Sequence, residues 1–146
     1  MGPLLAMLLA GAPPPELRAP NPHLEGPSWT MDASVEGKVK RDQPATLVIK
    51  ASARAGFHVN EDYPTKFTAD TGGDFDRVKS EPGNGITLDK CDGDSSKKCT
   101  ATVRVRFTPR GDGSMLLGGV LALGTCDKDR CLIDKIPVLI QVDVTP

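Results

Sequence analysis

Apolar residues fall at every second position over several separate stretches of this chain, and that spacing leaves little room for anything but β-strands. Met31, Ala33, Val35, Gly37 and Val39 alternate with Asp32, Ser34, Glu36, Lys38 and Lys40. Successive side chains of an extended strand point to opposite faces, so a period of two turns one face inward and leaves the other wet. Leu47, Ile49 and Ala51 repeat the pattern against Val48, Lys50 and Ser52. Ala101, Val103, Val105 and Phe107, set against Thr102, Arg104, Arg106 and Thr108, form the cleanest strand of the chain. Val138, Ile140, Val142 and Val144 make the inward face of the last one. Phe57–Val59, Lys66–Ala69 and Ile86–Lys90 read as shorter extended pieces, and helical periodicity is almost absent.

Turn chemistry separates these runs. Gln43-Pro44, Thr71-Gly72-Gly73-Asp74, Glu81-Pro82-Gly83-Asn84-Gly85 and Pro109-Arg110-Gly111-Asp112-Gly113 carry the glycine, proline and aspartate that tight reversals need. Short strands at this spacing predict an all-β chain, an antiparallel β-sandwich of about seven to nine strands, with a closed barrel as the alternative.

A length of 146 residues fits one domain with some excess at an end, and that domain can bury a core without help. The folded part is expected over 29–146. Residues 13–28 hold Pro13, Pro14, Pro15, Pro20, Pro22 and Pro27, which predicts an extended tether in which His23 is merely solvated. Residues 1–12 include the apolar run Leu4 to Ala10 followed by Gly11 and Ala12, resembling the remnant of a secretory signal peptide. Its basic leading region is missing, since the first cation is Arg18, and a plain apolar tail is the alternative. No run approaches the roughly 20 apolar residues that span a bilayer. A net charge of −1 argues against nucleic acid or an acidic membrane surface as the main partner. The expectation is a soluble monomer, periplasmic or secreted.

Four cysteines admit three pairings, and local closure is favoured. Cys91 and Cys99 flank the polar stretch Asp92–Lys98, read as a loop between two strands that a structural disulfide would pin by about 2 kcal/mol. Cys126 and Cys131 bracket Asp127, Lys128, Asp129 and Arg130, a four-residue hairpin loop with a hydrophobic strand on either side. Facing residues of an antiparallel pair are close enough for a disulfide, here at a loop tip that a partner's thiolate can reach. On residue chemistry a hairpin staple and a reversible dithiol are nearly balanced. Lys128 and Arg130 favour a thiolate, while Asp127 and Asp129 oppose it.

Other chemistry is weaker. The gaps between the cysteines lack the short paired spacing of a zinc site. Asp89, Asp92 and Asp94, or Asp70, Asp74 and Asp76, fail the EF-hand spacing. Neither metal nor cofactor is expected. Arg110-Gly111-Asp112 matches an adhesion tripeptide but sits in an ordinary turn. His58, flanked by Phe57 and Val59, reads as an outward surface histidine, and its distance from the cysteine hairpin is not legible.

The segment Ala55-Gly56-Phe57-His58-Val59-Asn60-Glu61-Asp62-Tyr63-Pro64-Thr65-Lys66-Phe67, with Gly119–Thr125 and the pair Cys126 and Cys131, resembles the N-terminal periplasmic domain of DsbD-type thiol:disulfide interchange proteins. The resemblance covers most of residues 29–144. It implies an immunoglobulin-like sandwich whose Cys126 and Cys131 are the catalytic redox pair. It also implies a partner that is a transmembrane electron donor or a thioredoxin-like periplasmic protein, and an aromatic shield over the disulfide, with Phe57 the first candidate and Tyr63 the second. Membrane-spanning and thioredoxin-like parts are absent from these residues, which predicts a free-standing module. Leu132 and Ile133 stand where that family has prolines, and Cys91–Cys99 looks like an addition. The expected function is therefore thiol–disulfide exchange through Cys126–Cys131. The competing expectation is a secreted or envelope binding module with two structural disulfides.

Overall fold

A computed structural model describes residues 19–146, so the apolar run at 1–12 and the first prolines of the expected tether lie outside the described residues. Among the described residues there are eleven strands and no helix: β1 (His23–Glu25), β2 (Trp29–Glu36), β3 (Ala45–Ala53), β4 (His58–Val59), β5 (Lys66–Thr71), β6 (Asp74–Phe75), β7 (Lys79–Pro82), β8 (Gly85–Cys91), β9 (Asp94–Thr108), β10 (Gly113–Cys126) and β11 (Cys131–Val144). Eight of these are four residues or longer, which matches the strand number read from the turns.

One layer runs β1–β2–β3–β9–β8 and the other β11–β10–β5–β7, with every pairing antiparallel except the short β7–β8 contact. This is an immunoglobulin-like antiparallel β-sandwich. The two-residue β4 lies between β9 and β10 and hydrogen-bonds to both, so it joins the layers at one end. The alternating residues fill the interior: Leu47, Ile49, Val103 and Phe107 from the first layer meet Phe67, Leu117, Leu121, Leu123, Ile136 and Val138 from the second, all buried. Full burial of one such side chain contributes about 1.5–3 kcal/mol.

β10 is the spine of the second layer, flanked by β11 over its whole length and by β5 in its middle. The backbones approach so closely at Gly118 and Gly119 that a Cβ there would fall 1.8 Å from Val138 O and 2.1 Å from Thr68 O, and the β5 register shifts between these two residues. Glycine is the residue that such a bulge admits.

The segment 13–28 departs from its expectation as a tether. Within its described part, Asn21 N donates to Leu139 O at 2.8 Å, β1 pairs with β2, and Leu24 packs against the core. Pro20, Pro22 and Pro27 lack donors, but the residues between them keep theirs, and an edge strand needs only one donating side. Nor is His23 merely solvated: its Nδ1 lies 2.7 Å from Asp32 Oδ1, a half-exposed contact of the kind that contributes little to stability.

Candidate functional site

The β10–β11 ladder runs in unbroken register down to Cys126 opposite Cys131, and the two are joined as a disulfide with their Cα atoms 4.0 Å apart. Just beyond them Asp127 N donates to Arg130 O at 2.9 Å. The cysteines therefore occupy the closer type of cross-strand pair, which lies between hydrogen-bonded pairs. The four-residue loop has its own order. Asp127 Oδ1 accepts from Asp129 N and from Arg130 N, both at 2.8 Å, as an aspartate at the head of a turn does. These amide donors, Asp129 first and then Arg130, hold the Asp127 carboxyl below its ordinary range, and the Arg130 guanidinium adds to the effect. Part of the negative charge that opposed a thiolate is thus already bound by the backbone.

The bridge is asymmetric. Cys126 is 7% exposed, whereas Cys131 is exposed at the start of β11. Close to the bridge along the same two strands, Ser28 Oγ and Thr125 Oγ1 share a buried hydrogen bond of 2.7 Å, and Trp29 Nε1 donates to Asp134 Oδ2 at 3.0 Å. Both contacts fix the cysteine end of the β10–β11 hairpin to the start of β2.

The two aromatic residues are placed differently. Tyr63 packs on Gly124, its Cδ2 lying 3.1 Å from where a Cβ on that glycine would stand, and Asn60 N donates to Gly124 O at 2.9 Å. Gly124 lies two residues before Cys126 on the same strand face. Tyr63 thus lies two residues along β10 from Cys126, where it also lines a hollow with Val120, Ala122 and Lys135. Phe57 lies by the other disulfide: its carbonyl oxygen is 3.8 Å from Cys99 Sγ, and the residue lines the same groove as Cys91 and Cys99.

His58 is the residue whose position sequence reasoning missed. It is the register partner of Cys126 on β4, while the next residue, Val59, pairs with Lys98 on β9. It therefore stands one strand away from each disulfide. A two-residue strand carries no periodic signal, and only the Gly56-Phe57-His58 context marked the segment at all.

Cys91 and Cys99 form the second disulfide, with Cα atoms 4.7 Å apart. The loop between them is shorter than expected. β9 begins at Asp94, leaving Asp92-Gly93 as a two-residue turn with Gly93 at φ +81°, and the register shifts on either side of Lys90 absorb the extra residues. An Asp-Gly dipeptide is itself a two-residue hairpin signal, here hidden inside the bracketing cysteines. The disulfide opens into a groove of about 660 Å³ lined also by Arg54, Phe57, His58 and Lys97. Asp94 at its rim is held below the ordinary carboxylate range, first by hydrogen bonds from the Ser96 hydroxyl and amide, and less by the charges of Lys97 and His58.

The other motifs bring nothing together. Arg110 of the adhesion-like tripeptide is tied back to Asp74 at 2.7 Å and Asp42 at 3.4 Å, an arrangement that raises its own proton affinity. All four cysteines are in disulfides, and no group of three or more metal-binding side chains converges among the described residues. No helix there is long and apolar enough to cross a membrane. Two disulfides fit an oxidising environment.

No family model matches the chain, and no curated protein matches it. Among solved structures, it is similar to the cohesin module from Clostridium perfringens ATCC13124 family 33 glycoside hydrolase, at 9% identity over 81% of this chain and 97% of that one, with a TM-score of 0.44.

Proposed function

We propose that this domain is a thiol–disulfide interchange module of the DsbD N-terminal kind, working in the periplasm or outside the cell and exchanging electrons with a partner protein through Cys126–Cys131. The observation that carries this reading is the asymmetry of the bridge, with Cys131 exposed at the hairpin tip and Cys126 buried behind it. A partner's thiolate attacks the Cys131 sulfur, forming a mixed disulfide and releasing Cys126 as a thiolate that takes up a proton. The partner's second thiolate then displaces Cys131, so the partner leaves oxidised and the module holds the dithiol. Run in reverse, Cys131 attacks a partner disulfide and Cys126 resolves the mixed species. Tyr63, seated on Gly124, supplies the aromatic cover that the resemblance implies.

Redox titration with thiol trapping and peptide mass spectrometry tests the proposal. A Cys126–Cys131 potential in the range of known thiol oxidoreductases, with a mixed disulfide trapped on Cys131 in a Cys126→Ser variant, supports it. A potential below about −300 mV, where structural disulfides lie, removes it and leaves the binding module with two structural disulfides.

A further inference from the structure

We infer that Cys91–Cys99 is a second exchangeable disulfide, reached through the groove beside β4, with His58 handling the proton of the leaving thiolate and a dithiol protein or peptide as the reductant. This site is separate from the exchange proposed at Cys126–Cys131, and either can fail without the other.

Access comes first. Both cysteines are half-exposed, and both line an open groove of about 660 Å³, room for an extended peptide segment. Direction follows from what each sulfur faces. Cys99 Sγ lies against the Phe57 carbonyl, on the β4 side, whereas Cys91 ends β8, whose final residues pair only with β9. Displacement at sulfur is in line, so a thiolate arriving from the open side attacks Cys91 and drives Cys99 out toward β4.

The groove suits that leaving thiolate. Its basic side chains are Arg54, His58 and Lys97, and its acidic ones Asp92 and Asp94. Arg54 is engaged with Glu25 at 3.0 Å and Asp94 accepts from Ser96, while His58 and Lys97 line the groove together with Cys99. Positive neighbours favour a cysteine thiolate, and an imidazole is the side chain able to hand it a proton near neutrality.

The structural cost of opening the bridge is local. β9 is irregular around Lys98 and Thr100, yet from Thr100 to Phe107 it stays paired with β3, and from Thr100 to Val103 with β8, independently of the disulfide.

The first thiolate of the reductant bonds to Cys91 Sγ as the Sγ–Sγ bond breaks. Cys99 departs with the electron pair and takes a proton from His58. The second thiolate of the reductant then attacks the mixed disulfide and releases Cys91, which is protonated from solvent. Two electrons and two protons enter the pair, and the reductant becomes a disulfide.

The test uses the full chain in glutathione buffers, with dithiothreitol for the kinetics, and reads the two cysteine pairs on separate peptides after thiol trapping. Cys91–Cys99 is expected to become half reduced within the accessible glutathione range while the protein stays folded, in the native chain and in a Cys126→Ser/Cys131→Ser variant alike. Glutathione is expected to be trapped on Cys91 in a Cys99→Ser variant. His58→Gln is expected to slow reduction by about tenfold or more without moving the equilibrium, since proton handling acts on rate. Reduction that occurs only after unfolding in denaturant overturns the site, and an unchanged rate in His58→Gln overturns the role of the histidine. If the double variant does not fold, the native chain still reports both pairs separately.

Discussion

Ser28 and Thr125 stand ninety-seven positions apart in the chain, yet their fully buried hydroxyls meet at 2.7 Å one residue before Cys126 on β10. One side chain comes from the residue just ahead of β2 and the other from the penultimate residue of β10. The contact therefore sets where the cysteine hairpin sits on the sandwich. Thr125→Val leaves the Ser28 hydroxyl buried without a partner and is expected to cost about 1–3 kcal/mol. Adding Ser28→Ala is expected to recover much of that loss, because the desolvated group is then gone. Urea unfolding with the disulfides intact, read as a shift of midpoint at constant slope, measures both. Equal losses in the single and double variants would show that the hydroxyl pair is not the cause.

Tyr63 is half-buried over Gly124, and its removal uncovers the strand face next to Cys126. Tyr63→Ala is expected to raise the rate at which dithiothreitol reduces Cys126–Cys131 several-fold, with a stability loss of about 1–2 kcal/mol. Gly124→Ala pushes the ring outward by a few tenths of an ångström and is expected to give a smaller change in the same direction. A rate that does not respond to either variant would leave Tyr63 as a packing residue only.

The hairpin turn depends on an ionised Asp127, whose carboxyl is held below its ordinary range chiefly by the Asp129 and Arg130 amides. A lowered folded value means that the turn's support is fully present above the ordinary carboxylate range and is lost as pH falls through the lower, folded value. The amide resonances of Asp129 and Arg130 are expected to titrate together with a midpoint below that of a free aspartate. In Asp127→Ala this titration should vanish. A midpoint at the ordinary aspartate value would contradict the turn geometry.

Trp29 is the one tryptophan of the chain, buried, and bonded through Nε1 to Asp134 three residues past Cys131. Asp134→Leu removes the acceptor and is expected to shift Trp29 emission and to lower stability by about 1 kcal/mol. Fluorescence and urea unfolding on the same samples check the two parts. An emission spectrum indifferent to the substitution would mean that the indole finds another acceptor.

Much of the sandwich was legible because a period of two is a local signal. Val103, Val105, Phe107, Leu47 and Ile49 declare their inward face within a few neighbouring residues, and all are buried. The cysteine hairpin was legible for the same reason, its polar loop and flanking strands being contiguous. What escaped the sequence is non-local. β1 is an edge strand whose pairing with β2 is masked by the prolines around it, and the Asp92-Gly93 turn was subsumed in a longer polar stretch. The register that sets His58 against Cys126 joins residues sixty-eight positions apart through a strand too short to have a pattern. Packing of Tyr63 on the cysteine strand depends on how the 60–64 loop folds back on Gly124, which the sequence of that loop does not announce.

The long β10–β11 ladder also fixes how the domain can be held. Val144 faces Gly113 at one pole and Cys131 faces Cys126 at the other, thirteen residues along the strand, a span of about 40 Å at extended-strand rise. Asn21 bridges to Leu139, about 25 Å from the sulfurs by the same measure, and Thr145 bridges to Lys40 beyond the far pole. A group fixed at the Gly113–Val144 pole is accordingly carried at the far end of the ladder, and the sulfur-bearing pole is left clear for whatever approaches it.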